Sequence, residues 1–148
     1  MNNILFAVGD VHGCFDELKA ALDEAGFLVG EPNHILVALG DFFDRGSQQL
    51  EVYTFLRDLD DRGQLIYILG NHDLMLTNLR ADVAGAVFHY RHNGLKQTIH
   101  QIFGVQKYEG IHNYLKTVSR TEKFREMVGW LRTKKLYFET EDYVFTHA

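Results

Sequence analysis

Three short segments carry side chains of the types that bind metal ions and phosphate groups. They read Gly9-Asp10-Val11-His12-Gly13, Gly40-Asp41-Phe42-Phe43-Asp44-Arg45-Gly46 and Gly70-Asn71-His72-Asp73. Aspartates that pack together repel one another unless cations or protons lie between them. Carboxylate, imidazole and amide ligands without a thiolate suit divalent metals such as manganese, iron, zinc, cobalt or nickel. The pattern therefore predicts a metal site.

Two metal ions fit this set of side chains. One ion could take Asp10, His12 and Asp41, and a second could share Asp41 and take Asn71. Two ions ~3.5–4 Å apart form a clamp for in-line displacement at phosphorus and lower the pKa of a bridging water. Arg45 offers a planar, bidentate donor for the remaining phosphate oxygens. The chemistry indicated is attack of a metal-bridging hydroxide directly on phosphorus.

His72 is the candidate general acid. It could protonate the leaving alkoxide, with Asp44 or Asp73 holding its other ring nitrogen. Five further histidines have no such surroundings and are expected to be ordinary surface or core residues: His34, His89, His92, His100 and His112. Cys14, next to the first segment, has no role in this chemistry and is expected to be a small buried residue.

The three segments each follow an apolar run of strand length, at residues 3–8, 35–39 and 65–69. Helical periodicity at 15–25 and about 48–60 gives the order β-α-β-α-β, which predicts a parallel sheet with right-handed crossovers. All three loops would then meet at the carboxyl edge of the sheet, where α/β folds bind ligands. The first strand is apolar throughout, so we expect a central strand covered on both faces.

The second half of the chain changes character. From about 73 to 133 the apolar residues follow helical spacing, which predicts a helical insertion at 74–133 within a single domain of 148 residues. Two strands are predicted at 136–139 and 143–146, and the chain ends at His147-Ala148.

Bulk composition excludes several classes of protein. The formal net charge of −5 argues against a broad nucleic-acid surface. No apolar run approaches the ~18 residues of a membrane helix, and the N-terminus does not resemble a signal peptide. A single cysteine excludes an intrachain disulfide. We expect a cytoplasmic protein without a membrane partner, and the oligomeric state stays open.

Together the three motifs resemble those of the calcineurin-like metallophosphoesterases. They are most similar to the phosphoprotein phosphatase branch, with its bacterial and phage serine/threonine phosphatases; the symmetrical diadenosine tetraphosphatases belong near it. The resemblance implies a β-sandwich flanked by helices, with a dinuclear site at one edge and manganese as the first expectation. By motif match it implies the metal ligands Asp10, His12, Asp41 and Asn71.

The same match assigns the remaining roles. Arg45, Asn71 and His72 would contact substrate, with His72 as the catalytic acid paired with Asp44. His147, at the end of a strand and before a small residue, fits the place of a later metal ligand. Residues 90–94 with Thr98 resemble an Asn-Gly segment that follows the third motif in bacterial members.

The substrate implied by the resemblance is open between two classes. Asp44 before Arg45 favours a phosphomonoester hydrolase of the serine/threonine protein phosphatase type, acting on a phosphorylated protein. Asp73 stands where those enzymes usually have Glu, and favours a diadenosine tetraphosphatase-like hydrolase of nucleotide polyphosphates. A non-catalytic module that binds metal or phosphate is a third alternative.

Length separates this sequence from the family pattern. Family members normally continue past the equivalent of His147 with more strands, another histidine ligand and often a second arginine. We therefore expect the 148 residues to be the N-terminal part of such an enzyme. Whether this part hydrolyses phosphoesters by itself stays open.

Overall fold

The computed structural model describes residues 3–104 and 109–148, so residues 1–2 and the stretch 105–108 of the predicted helical segment lie outside it. The predicted α/β class is confirmed. A parallel sheet in the order β1-β2-β3 is formed by β1 (Ile4–Val8), β2 (His34–Ala38) and β3 (Leu65–Tyr67). The crossovers are α1 (Phe15–Glu24) and α2 (Gln49–Asp61).

The central strand is β2, and the expectation that the first strand would be central is wrong. All five residues of β2 are buried, because Val37 pairs with Ala7 on one side and with Ile66 on the other. Strand β1 lies at the edge of the described sheet, and its Ile4 is 48% exposed. An apolar strand sequence indicates burial, but the order of strands is set by how the crossovers fold.

Helices and turns fill the region after β3, and no strand occurs between 73 and 133 in the part that the structure describes. The α-helices are α3 (Asn71–Asn78), α4 (Val83–His92), α5 (Leu95–Thr98), α6 (Ile111–Val118) and α7 (Glu122–Leu131). Helix α5 continues directly into a π-helical turn, Ile99–Phe103. Of the helices in the described ranges, none is long and apolar enough to cross a membrane.

The last strands form an antiparallel hairpin of β4 (Tyr137–Glu139) and β5 (Val144–Thr146). The chain reaches this hairpin through Lys135, whose N–H donates to the Tyr67 carbonyl at 3.0 Å and whose carbonyl accepts from the Leu69 N–H at 2.8 Å. These bonds attach the second sheet beside the end of β3. As a result the residue after β5, His147, returns to the edge of the first sheet.

Asp73 ties β3 to the two neighbouring loops. Its Oδ2 accepts from the Gly70 N–H at 2.8 Å and from the Asp41 N–H at 3.2 Å, and its Oδ1 accepts from the Tyr67 hydroxyl at 3.0 Å. Complete burial raises the pKa of Asp73 to about 7, although these three hydrogen bonds partly oppose the shift. Burial also raises the pKa of Tyr67 well above its ordinary value, so the phenol remains a donor.

Asp73 makes the stability of the metal-free protein fall as the pH rises. The pKa of Asp73 is about 7 in the folded state against an ordinary 3.8, so between these values only the folded state keeps the proton. Three pKa units correspond to a loss on the order of 4 kcal/mol between pH 4 and pH 8. In Asp73→Asn the amide oxygen still accepts both N–H groups and the amide nitrogen faces Tyr67, so this part of the pH dependence should vanish.

Urea unfolding at pH 4 and pH 8, in chelator, measures the difference. The matched control is Asp61→Asn, at an exposed aspartate, which should keep the pH dependence of the unchanged protein. If the free energy of unfolding of Asp73→Asn falls with rising pH as much as that of the control, Asp73 is not the source of the pH dependence.

Candidate active site

Backbone strain is concentrated in the loops after β1 and β2. Within residues 3–104 and 109–148, every non-glycine residue with positive φ lies in these two loops: Asp10 (55°), His12 (47°), Asp41 (55°), Asp44 (72°) and Arg45 (69°). The left-handed region costs an L-residue ~1–2 kcal/mol. Such strain persists only where surrounding contacts impose it, and it clusters at functional sites.

Backbone hydrogen bonds between the two loops impose that conformation. The Asp10 N–H donates to the Gly40 carbonyl at 3.2 Å, and the His12 N–H donates to the Asp41 carbonyl at 3.0 Å. In return the Gly46 N–H donates to the His12 carbonyl at 2.8 Å. The pairing of β1 with β2 thus continues past the strand ends, and the first two loops form one rigid unit.

Two glycines let the third loop approach this unit. A Cβ on Gly40 would lie 2.6 Å from the Cα of Gly70, and a Cβ on Gly70 would overlap the carboxylate of Asp41. No side chain fits between backbones at this distance. The glycines that open the second and third motifs are therefore required by the close approach of Asn71 and Asp41.

Asp41 lies where the three loops meet. Its carboxylate is buried; Oδ1 accepts from the His72 N–H at 2.9 Å. Its Oδ2 lies 4.0 Å from the Nε2 of His12 and 3.6 Å from the Nε2 of His147. One carboxylate thus faces groups from the first loop, the third loop and the end of the chain, as expected of a bridging ligand.

His12 and His147 both present Nε2 towards Asp41. The Nδ1 of His12 lies 2.8 Å from the Phe43 carbonyl, and the Nδ1 of His147 lies 2.7 Å from the Leu39 carbonyl. Because a carbonyl only accepts, Nδ1 carries the proton in each ring. In the neutral ring, Nε2 then offers a lone pair, which is the usual arrangement of histidines that bind metals.

The acceptor atoms converge in a way that fits a cation. The Nε2 of His147 lies 3.1 Å from the Oδ1 of Asn71, so two acceptors face each other. Ligand atoms of Asp10, Asp41 and His147 lie within 4.8 Å of one another. Lone pairs so close together repel unless a positive charge lies between them. The nitrogen and oxygen donors suit a divalent metal, as the sequence predicted.

His72 has a carboxylate on one ring nitrogen and a guanidinium near the other. Its Nδ1 lies 2.8 Å from the Oδ2 of Asp44, and its Nε2 lies 3.3 Å from the Nη2 of Arg45. The hydrogen bond to Asp44 raises the pKa of His72 above its ordinary value, against the opposing effect of burial. Of the two partners considered for His72, Asp44 makes the contact, and Asp73 is bonded elsewhere.

Further residues that the sequence did not single out surround Asp44. The Nε2 of His89 lies 2.8 Å from the Oδ2 of Asp44, and the Thr98 hydroxyl donates to its Oδ1 at 2.5 Å. The Asp44 N–H donates to the Oε1 of Gln49 at 2.9 Å. Burial would raise the pKa of Asp44, but the contacts with His72, His89 and Thr98 outweigh it and hold the pKa below its ordinary value.

The sequence predicts an ordinary surface or core residue at His89. The side chain is buried, as a core residue would be, but its ring contacts the carboxylate of Asp44. No local motif marks it, since its contact depends on how α4 packs over the second loop. The only signal was the Asn-Gly segment with Thr98. In the structure the Gly94 carbonyl accepts from the Arg45 N–H at 3.3 Å, and Thr98 contacts Asp44.

The prediction for Cys14 is wrong. Its side chain is exposed, because it stands at the start of α1 where the chain turns away from the first loop. The two aromatic residues of the second loop lie in the hydrophobic core: Phe42 is 0% exposed and Phe43 is 1% exposed.

The strain at Arg45 predicts a difference between two variants that both remove the guanidinium. Arg45→Ala keeps a Cβ at φ 69°, whereas Arg45→Gly does not. Glycine relieves ~1–2 kcal/mol of backbone strain, but it also gives the unfolded chain more conformational freedom. The glycine variant should therefore be ~0.5–1 kcal/mol more stable than the alanine variant. Urea unfolding of the pair measures this. Equal stability, or a more stable alanine variant, would show that the loop relaxes without strain.

Comparison with known proteins agrees with this site. Residues 5–148 match the family described as calcineurin-like phosphoesterase. The chain is similar to the symmetrical bis(5'-nucleosyl)-tetraphosphatase of Aromatoleum aromaticum, 33% identical over 144 residues, which cover 97% of this chain and 43% of that protein. The protein of the same name from Nitrosospira multiformis is 30% identical, with 97% and 42% covered.

A solved structure supports the fold alone. That of a cold-active protein tyrosine phosphatase superposes with a TM-score of 0.58 at 23% identity, over 100% of this chain and 41% of that one. The chain spans less than half the length of the curated relatives it matches. The family match over residues 5–148 confirms the motif resemblance. This chain belongs to the calcineurin-like phosphoesterase family.

Proposed function

We propose that this chain is the metal-binding part of an enzyme that hydrolyses bis(5'-nucleosyl) tetraphosphates symmetrically, into two nucleoside diphosphates. The observation that carries the hydrolase assignment is the convergence of acceptors on Asp41 beside the His72–Arg45 pair. The substrate class is supported by relatives that bear this name. The motif resemblance, through Asp73, favours the same class. The nucleotide alternative is thus preferred over the protein phosphatase reading.

The site would hold two divalent ions, with manganese as the first candidate. Asp10, His12 and Asp41 would hold one ion. Asp41, Asn71 and His147 would hold the other, since the Nε2 of His147 lies 3.1 Å from Asn71 and 3.6 Å from Asp41. When bound, such ions polarise phosphoryl oxygens and make a bound water more acidic.

Arg45 and His72 would divide the work on the phosphate chain. The exposed Arg45 guanidinium lies 3.3 Å from His72 and would hold non-bridging oxygens next to that imidazole. As the oxygen of water bonds to phosphorus, the bridging P–O bond breaks, and the proton of water passes to solvent. The leaving nucleoside diphosphate would take a proton from the Nε2 of His72, while Asp44 holds the Nδ1–H.

A serine/threonine phosphatase activity is the second candidate. The feature that favours it is the aspartate directly before Arg45 in the motif, Asp44, which lies 2.8 Å from the Nδ1 of His72. The same residues would act, but the leaving group would be the alkoxide of a serine or threonine side chain. That alkoxide is a poorer leaving group than a phosphate, so it depends more strongly on proton donation by His72.

Metal binding predicts a shift in thermal stability that does not require turnover. A ligand that binds only the folded state stabilises it by ~2.7 kcal/mol at a hundred times its Kd. Manganese should therefore raise the Tm of this protein, and excess chelator should reverse the rise. Asp41→Asn, which removes the shared ligand, should abolish the shift, whereas Asp61→Asn at an exposed position should retain it. An equal shift in both variants would place the metal elsewhere.

Hydrolysis tests the function itself. With manganese, the chain should convert bis(5'-adenosyl) tetraphosphate into ADP alone, as read by chromatography, and should release phosphate from a phosphoserine peptide more slowly. Asp41→Asn should lower kcat/KM about 100-fold or more, given that even outer-shell changes cost 10–100-fold. ATP with AMP as products would contradict symmetric cleavage. Preference for the peptide would favour the second candidate, and metal binding without any turnover would favour the non-catalytic one.

A further inference from the structure

We propose that His89 is a positioning residue for the His72–Asp44 pair. It would hold the carboxylate of Asp44 so that one oxygen stays aligned with the Nδ1 of His72 when a proton is transferred. The proposal rests on the hydrolase function inferred above, and it assigns a role to a residue that no motif includes.

The two imidazoles converge on the same oxygen. The Nε2 of His89 and the Nδ1 of His72 each lie 2.8 Å from the Oδ2 of Asp44. The rings meet edge to face, with centroids 5.0 Å apart and an interplanar angle of 62°. All three side chains are buried: His72 is 3% exposed, and His89 and Asp44 are 1% exposed each. Water therefore does not replace either imidazole at this oxygen.

Thr98 holds the opposite oxygen of the same carboxylate. Its hydroxyl donates to the Oδ1 of Asp44 at 2.5 Å, while His89 faces Oδ2. Contacts on both oxygens prevent rotation of the carboxylate about its Cβ–Cγ bond. Without His89, His72 would be the one contact left at Oδ2 among the residues that the structure describes. The carboxylate could then turn, and the hydrogen bond that orients His72 would lengthen.

Packing alone does not account for a histidine at this place. The Nδ1 of His89 has no hydrogen-bond partner among the described residues, and its Nε2 approaches Asp44 closely without the direction of a regular hydrogen bond. A buried polar group without such bonds costs free energy, and an apolar side chain would fill the space more favourably. A leucine at this position could not make the polar contact that the Nε2 of His89 makes with the Asp44 carboxylate.

The role predicts a dependence on the leaving group. Nitrophenolate departs from phosphorus without a proton, whereas phenolate needs one, so only phenyl phosphate depends strongly on acid catalysis. His89→Leu should lower kcat for phenyl phosphate ~10–100-fold, which is part of the ~10²–10⁴-fold that a positioned general acid typically contributes. For para-nitrophenyl phosphate kcat should fall less than about threefold, and KM should stay within about twofold for both, because Arg45 is untouched.

Two further variants complete the comparison. His89→Gln keeps an N–H that can reach Asp44, so it should recover most of the activity on phenyl phosphate. His92→Leu makes the same change one turn later on α4, at an exposed ring, and should behave as the unchanged protein. Equal losses on both substrates, no recovery with glutamine, or the same loss in His92→Leu would each overturn the proposal.

A spectroscopic measurement decides the question without turnover. The proton shared by the Nδ1 of His72 and Asp44 should give a downfield ¹H NMR resonance in the metal-free protein. His89→Leu should shift or broaden this resonance, and His92→Leu should leave it in place. If the unchanged protein hydrolyses neither these aryl phosphates nor bis(5'-adenosyl) tetraphosphate, the proposed function fails, and this resonance alone tests His89. A resonance unaffected by His89→Leu would overturn the positioning role.

Discussion

The carboxylate of Asp41 is the point on which the arrangement of the site depends. One oxygen accepts the His72 N–H and so fixes the start of α3, and the other faces His12 and His147. The close contact of Gly40 with Gly70 brings the third loop to this carboxylate. Such convergence of negative and lone-pair groups is unfavourable without a cation. Much of the surrounding structure serves to hold together groups that would otherwise separate.

Several features of the site lower the stability of the folded protein while they hold the side chains around Asp41 together. Positive φ angles at five non-glycine residues and a buried carboxyl at Asp73 each oppose folding at neutral pH. They persist because the fully buried β2 and the paired loops leave the backbone no alternative. The hydrophobic core around β2 therefore stabilises the strained loops, and the helices after β3 pack against the same loops.

The helical segment after β3 does more than cover the sheet. It contacts the Asp44-Arg45 dipeptide through Gly94, Thr98 and His89. The dipeptide proposed to bind phosphate and to orient His72 is thereby in contact with a part of the chain outside the three motif loops.

The local sequence determined the elements and the loops proposed to bind metal. Apolar runs before Gly9, Gly40 and Gly70 indicated three strands, and Asp10, His12, Asp41 and Asn71 could be placed at one sheet edge because parallel strands share their carboxyl ends. Only the tertiary structure decided that β2 is central, that His72 pairs with Asp44 and not with Asp73, and that His89 reaches the same oxygen. Strand order and contacts across 28 or 54 residues, as for Asp44 with His72 and Thr98, arise from packing of whole elements. Local spacing carries no record of that packing.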